Sequence, residues 1–558
     1  MMDLFSRVFS KDLLTCKSTF NAILTLGHLR QSRFVVRGVP RCQLAIQLAK
    51  LGVLRDGLSS FGEDVAYRQA FRYGSKSIRK AESGVERERH PAITITATIT
   101  ATTHFPTSIL KTQPFQPPIF ARCRWLLLLF SSGAMALSDP SGVSELIASH
   151  HPSLSQYEDL YRTLHANPEL SEQEVWTAAV IAAKIEKFDG FEVHTGIGGH
   201  GVVGVFRNGT GKTVLIRAEL DALPLEERTD LPYASFKRML DSRDNVEKPV
   251  MHACGHDMHM TAVLAATELL LSCRAAWSGT LVILFQGHEE SGSGAQAMVD
   301  DGLYDPARHN IPRPDVMFAG HTMPRKAGII STRKGVFNSA ANSFRVTVFG
   351  RGGHGSRPHH TIDAVVLASS IVMKLQGIVS RETNPQDAVV VTVGSLQAGD
   401  SENVIADKAI LKINARSLTN ESRASVKAAI KRIIQGECLT AGCAELPLIE
   451  ETTSFPLLYN DEAVTDVVEN EFKRHFGNRF EEATVSMGSE DFGNLGPSPG
   501  CFWNIGCIDA NEWDEALANG KLAKIPGNHS AGFKPVIQPT LFAAMESYAL
   551  ATLAFLKK

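Results

Sequence analysis

The sequence predicts a mixed α/β fold, a sheet with helices on both faces, into which a smaller α+β unit is inserted. Three observations predict it. Short apolar runs, VVGVF (202–206), TVLIRA (213–218), TLVILF (280–285) and VMFAG (316–320), are separated by helical stretches such as 258–272, the pattern of strands covered on both sides. From about 340 the order changes. NSFRVTVFG alternates as a half-exposed strand, TIDAVVLASSIVMKLQGIV is an amphipathic helix, AVVVTVGSL and AILKINARSL are strands, and RASVKAAIKRII is a helix. With a last short strand near 445–449 this is a β-α-β-β-α-β order. After 452 buried-type segments return (CFWNIG, then a closing helix over 538–556) and complete the first domain.

The domain boundaries follow from these changes. Residues 1–134 carry the tract AITITATITATT and the Pro-rich QPFQPPIF without sustained periodicity, and are expected to be a disordered extension. Eight Lys/Arg against two acids in residues 1–50 resemble a transit peptide, the alternative being a misassigned start with Met135 as the true one. The first domain then spans 135–338 and 452–558, and the inserted unit 339–451. Within the first domain, LSQYEDLYRTLHANPELSEQE reads as a helix stopped at Asn167-Pro168 and a second helix at roughly 172–188. RNGTGK (207–212) is a turn between strands; Phe206 stands where a phosphate loop needs Gly.

Composition narrows the function classes. The 558 residues are 44% hydrophobic and 21% charged, with a net charge of −2, which offers no field for nucleic acid or an anionic membrane. Nine scattered cysteines do not form a disulfide framework, so a reducing compartment is expected: the cytoplasm, or the mitochondrion if the extension is a transit peptide. The apolar run WLLLLF falls short of the ~20 residues of a membrane span.

Four short stretches carry the chemistry. MHACGHDMHM (251–260) holds Cys254 and His256, which converge only if Gly255 sits in a loop before a helix, while His252 and His259 read as packing or supporting residues. FQGHEESGSGA delivers Glu289 and Glu290 to a strand end, where adjacent residues of extended chain would point apart, one free to ligate and the other to act as a base. FAGHTMP brings His321 out at the same edge, and GNHSAGF places His529 in a loop before the last helix. Each stretch alone also fits a solvated loop or a packed core. Together, five ligands exceed what one tetrahedral structural zinc needs and match two metals with shared groups.

With HANPELSEQE, RAELDALPLEE, GRGGHGSRPH, SENVIAD and SMGSEDF in the same order, the chain from about 150 to 558 resembles the dinuclear-metal aminoacylase and carboxypeptidase hydrolases, in the branch of hippurate hydrolase and indoleacetyl-amino-acid hydrolases. The resemblance implies a metallopeptidase-type catalytic domain, a lid that mediates homodimerisation, and two divalent ions per subunit (Mn or Zn, with Co or Ni as alternatives). Cys254, His256, Glu290, His321 and His529 match its metal ligands and Glu289 its general base. His354 matches a lid histidine that reaches substrate, often across the dimer, and Asn403 and Arg416 fall where the lid holds substrate polar groups. The implied activity is hydrolysis of a small N-acyl or N-aroyl amino acid to a carboxylic acid and a free amino acid. The alternatives are a dipeptidase or carboxypeptidase of the same clan, and a non-catalytic binding protein. Two departures stand out: Gly287-His288 replaces the usual Pro-Ala, putting an imidazole where it would narrow the pocket, and Glu219 replaces Asp, with a longer supporting contact expected.

Overall fold

The computed structural model describes residues 142–558. The expected extension over 1–134 and the first residues of the expected catalytic domain lie outside that range. The larger part is built on an eight-stranded sheet. In chain order its strands are β1 (Phe191–Ile197), β2 (Gly201–Asn208), β3 (Thr213–Glu219), β4 (Gly279–Gln286), β5 (Val316–Lys326) and β6 (Ile330–Thr332). The inserted unit supplies β7 (Ala340–Phe349), β8 (Val389–Gln397), β9 (Lys408–Ser417) and β10 (Leu448–Phe455), and the sheet is then completed by β11 (Phe480–Glu482) and β12 (Gly500–Ile508). The spatial order of the large sheet is β1-β2-β4-β3-β5-β12-β6-β11.

At its centre β3, β4 and β5 run parallel and β12 lies parallel to β5, pairing Phe318 with Cys501. The chain therefore leaves this sheet, folds the insert and returns to the neighbouring position. Burial explains why these strands read as continuous apolar runs. Val214, Ile216, Ala218, Leu281, Ile283 and Phe285 face one core, while Leu215, Val282 and Leu284 face a second on the opposite side. The first core is closed by helices α1 (Ser155–Ala166), α2 (Val175–Ile185), α3 (His256–Ser272) and, at the chain end, the helix Thr540–Leu556; the second is closed in part by α4 (Gly294–Asp300).

The insert has the expected order. Helices α5 (Ala364–Gly377) and α6 (Asn420–Ala441) pack on one face of an antiparallel sheet ordered β8-β9-β7-β10. Each helix starts at a side-chain cap, Asp363 accepting from the Val365 and Val366 amides and Thr419 from the Ser422 amide. Ala409, Leu411, Ile413 and Ala415 face the helices, so Lys412, Asn414 and Arg416 share the opposite face. The last strand runs to Phe455, past the boundary expected at 451. The helical run Ala364–Glu382, with a mean hydropathy of 1.3, is long and apolar enough by composition to cross a membrane, yet its Leu367, Ala368, Ile371 and Leu375 lie in the core of the insert.

The two units hold separate cores, so truncation in one should spare the other. Leu411→Ala is expected to cost about 2–5 kcal/mol in the insert. Hydrogen exchange should show lost protection in β9 with that of β4 retained; equal loss in both would contradict the division.

Candidate metal centre

Parallel strands bring their C-terminal ends to one edge, and the chemistry-bearing residues collect there. Beyond β3 the chain bends through Leu220 and Asp221. Beyond β4 it turns through Gly287–Glu290, and at the same level β5 carries His321. His321 lies within its strand rather than after it. Glu289 and Glu290 sit in a turn, not in extended chain, with His288 at a positive φ of 40°, and instead of pointing apart their carboxylates converge on His256, all three within 4.8 Å of one another. Gly255 does form the loop that the Cys254–His256 spacing requires. It precedes α3 at φ 84°, and a Cβ there would lie 2.2 Å from Thr322 Oγ1, so this position takes only glycine without displacement.

The expected ligands converge. Cys254 Sγ is 3.3 Å from His321 Nε2 and 3.3 Å from His529 Nε2. His529 Nε2 lies 3.4 Å from Glu290 Oε2, and His256 Nε2 is 3.9 Å from both Glu289 Oε2 and Glu290 Oε1. Cys254 belongs to two donor groups, one with His256 and His321 and one with Glu290 and His529. His529 holds a φ of 64°, a costly conformation for a non-glycine residue, and its amide donates to Ala253 O at 2.8 Å.

The surroundings prepare these atoms for cations. The His256 Nδ1–H donates to the Asp221 carbonyl (2.8 Å), and the His321 Nδ1–H to the Thr322 carbonyl (2.8 Å), which turns each Nε2 lone pair toward the cluster. His256 Nε2 and Glu290 Oε1 are buried and without hydrogen-bond partners. Burial, then the charges of Glu290 and Glu289, push the Cys254 thiol well up; burial holds His321 well below the usual imidazole range. Burial also opposes a charged His256, but the Asp221 hydrogen bond and the surrounding carboxylates raise it to about 10, so a cation would displace a proton there. Two buried orphan atoms beside a thiol and two further imidazoles fit divalent metal ions.

Supporting residues fix the donors. Asp221 Oδ2 accepts from the Glu290 amide (3.0 Å) and Ser171 Oγ (2.7 Å), and Glu174 Oε1 from the His288 amide (2.7 Å). His259 accepts from the Thr322 amide (2.8 Å) at Nε2 and donates from Nδ1 to Glu219 Oε2 (2.7 Å). The longer Glu219 thus makes an ordinary contact, not the long one expected. Nor does His288 narrow the pocket. Its ring turns away and is held by Ser293 Oγ (3.1 Å) and Gly198 O (3.0 Å), while its amide is tied to Glu174.

The donors open onto a cavity of ≈ 530 Å³ between the two units, also lined by Asn414, Arg416, Asn528 and Phe455. Arg416 Nη1 donates to Met487 O at 2.6 Å and its Nε to Asn414 Oδ1 at 3.0 Å, so the shared face of Arg416 and Asn414 overlooks the cavity rather than plain solvent. His354 and Asn403 do not line it. His354 is exposed in a two-residue strand opposite Val404, and the Asn403 carbonyl accepts from the Gly355 amide, so the two sit together on the insert, outside the cavity of their own chain.

In the sequence alone, nothing marks Arg217, Glu490 and Asp491 as a group. Arg217 is fully buried and donates to Glu490 Oε1 (2.8 Å), Asp491 Oδ1 (3.0 Å), Gln286 Oε1 (3.0 Å) and Glu219. SMGSEDF contained the two acids, but nothing local shows their arginine, 273 residues away from Glu490.

A model of peptidase family M20/M25/M40 matches residues 215–523. The chain belongs to that family. Hippurate hydrolase of Campylobacter jejuni is 38% identical over 343 residues, 61% of this chain and 84% of that protein. The Arabidopsis thaliana protein IAA-amino acid hydrolase ILR1-like 4 is 33% identical over 335 residues, 59% of this chain and 72% of that protein. Among solved structures, a dinuclear-metal-binding M20 peptidase of Bacillus subtilis is similar with a TM-score of 0.56 at 26% identity, covering 73% of this chain and 99% of that one.

One buried pair bears on pH. His165 donates to Asp257 Oδ2 (2.7 Å), beside His256 in the first turn of α3, and its other nitrogen meets Glu227 Oε1 at 3.1 Å. Burial opposes the charged ring, but hydrogen bonds to Asp257 and Glu227 overcome it and raise His165 to about 9. A raised histidine stabilises fully below its unfolded pKa of about 6.5, and that contribution, on the order of 3 kcal/mol, is lost as pH rises through about 9. Urea midpoints should therefore fall between pH 6.5 and 9, and His165→Gln should flatten the fall. A wild-type midpoint that stays level or rises there would contradict it.

Proposed function

We infer that this M20-family chain is a metal-dependent amidohydrolase that cleaves an N-acyl or N-aroyl amino acid to a carboxylic acid and a free amino acid. The observation that carries this reading is Glu289. It is buried at the cluster, 3.9 Å from His256 Nε2, and it lines the cavity in addition to a sufficient set of donors. A binding protein gains nothing from a further carboxylate there. Burial, followed by the charges of Glu490, Glu290 and Asp491, pushes the Glu289 carboxyl well above the usual range, which suits a group that must both take and return a proton.

Cys254, His256, Glu290, His321 and His529 would hold two divalent cations, with manganese or zinc as our assignment and cobalt or nickel as substitutes. Bound there, the pair would lower the pKa of a water and polarise an acyl carbonyl. Glu289 takes the proton of the attacking water on its carboxylate and passes it to the leaving amide nitrogen. Arg416, held by Met487 O and Asn414, presents a positive charge in the cavity for the carboxylate of the amino-acid half. The turn 287–290, tied down at the His288 and Glu290 amides, keeps Glu289 from drifting during transfer.

His354 and Asn403 lie outside their own chain's cavity, so we assign them to the site of a second subunit in a homodimer formed through the insert, where His354 would stabilise the oxyanion.

Three outcomes are expected. Amino-acid release from acetyl, benzoyl or indoleacetyl conjugates, and not from dipeptides, tests the substrate class; release from dipeptides alone would make the chain a peptidase. Glu289→Gln should lower kcat by at least ~10²-fold with metal content unchanged, whereas full activity would remove Glu289 from the reaction. Glu289→Gln and His354→Ala, each inactive alone, should regain roughly a quarter of wild-type activity when refolded together, because random pairing of subunits leaves one intact site per mixed dimer. No recovery would return His354 to its own subunit or exclude it.

A further inference from the structure

The end of helix α6 brings two thiols together. Gly442 follows the helix at φ 76°, its amide donates to Leu439 O (3.1 Å), and the Cys443 amide donates to Cys438 O (3.0 Å). These are the two hydrogen bonds of a Schellman motif, in which the residue after the left-handed glycine packs against the residue five positions earlier. That packed pair is usually apolar. Here it is Cys443 on Cys438, and both lie against the hydrophobic core of the insert.

Burial comes first in pushing the Cys438 thiol up to about 12, and the neighbouring Cys443 adds to it. The backbone hydrogen bond limits the two Cα atoms to about 7 Å apart by bond lengths alone, and disulfides span about 4.4–6.8 Å. Both residues are free thiols. Cys443 is partly exposed, on a helix end where Leu439 is 83% exposed, while Cys438 is only 2% exposed.

We propose that Cys438 and Cys443 are a modification site, a dithiol that closes to an intramolecular disulfide by exchange with a low-molecular-weight disulfide such as oxidised glutathione. The reachable Cys443 thiolate attacks one sulfur of the oxidant and releases one glutathione thiol. Cys438, after losing its proton to solvent, attacks Cys443 Sγ in the mixed disulfide and expels the second. The protein loses two electrons and two protons, and one oxidised glutathione becomes two reduced ones. The bond joins residues that the turn already holds side by side, so the helix end keeps its hydrogen bonds. In a reducing compartment the pair stays open. The chain past Cys443 leads into β10, whose Thr453 and Phe455 line the cavity, so closure ties that strand's entry to the helix.

The test uses the full chain in its native state, equilibrated in glutathione buffers of rising oxidised-to-reduced ratio, quenched in acid, denatured, alkylated and digested. Cys438 and Cys443 share one tryptic peptide, because no Lys or Arg separates them. The expected result is a peptide lighter by two hydrogens with neither cysteine alkylated, restored by dithiothreitol. Cys443→Ser should abolish the protection of Cys438, and Cys438→Ser should trap a glutathione adduct on Cys443. The proposal is overturned if both stay alkylatable at ratios that oxidise a reference dithiol peptide, or if either pairs with another cysteine. The wild-type peptide alone decides it, whatever the variants' stability.

Discussion

Asp221 holds the site in register. Its carbonyl accepts the His256 Nδ1–H, and its carboxylate takes the Glu290 amide and the Ser171 hydroxyl. Two donors from segments more than thirty residues apart are thus oriented by one residue at the end of β3. The rest of the geometry depends on that hub. His256 can aim Nε2 at the cluster only because Nδ1 is committed elsewhere, and Glu290 can reach His529 only because its turn is pinned at its own amide. Glu174 repeats the device two residues earlier in the turn, at His288.

The charge arrangement sets the site's demand. Glu289, Glu290, Glu219, Glu490 and Asp491 gather at one sheet edge with Arg217 as their buried cation. Arg217 compensates Glu219, Glu490 and Asp491 through direct hydrogen bonds, while Glu289 and Glu290 face the cavity with His321, His529 and Cys254. Burying charge without a partner costs several kcal/mol, so a set of acids, a thiol and lone pairs in one place is stable as a cation site and strained as anything else. The same burial that raises the Glu289 carboxyl equips it to carry a proton.

Much of this was legible in the sequence, for identifiable reasons. The apolar runs of β3, β4 and β5 showed a doubly covered sheet because both faces of each strand are buried, and the alternation in β7 and β9 showed a sheet with one open face. Cys254 and His256 were readable as a pair because Gly255 supplies the left-handed turn. What could not be read needed long-range contacts. Arg217 looks like a lone charge in an apolar strand until Glu490 and Asp491 arrive from the far end of the chain. His288 looked like a pocket residue because adjacency to Glu289 says nothing about the turn that rotates it away. In sequence Arg416 shares a strand face with Asn414 and Lys412, as a solvated face would, and the distinction lies in what that face overlooks. His354 and Asn403 fall at positions that the resemblance marks, His354 the more clearly, yet both lie beyond the cavity of their own chain, which is why we assign them to the site of a second subunit.

Cys254 belongs to both donor groups, one with His256 and His321 and one with Glu290 and His529, so a pair of cations held there would depend on its thiolate. X-ray absorption on the full chain loaded with two equivalents of zinc tests it most directly. The expected spectrum has sulfur at about 2.3 Å from zinc and a metal–metal scattering path near 3.5–4 Å, both lost in Cys254→Ala. A single ion with no metal–metal path, or an unchanged spectrum in Cys254→Ala, would contradict it.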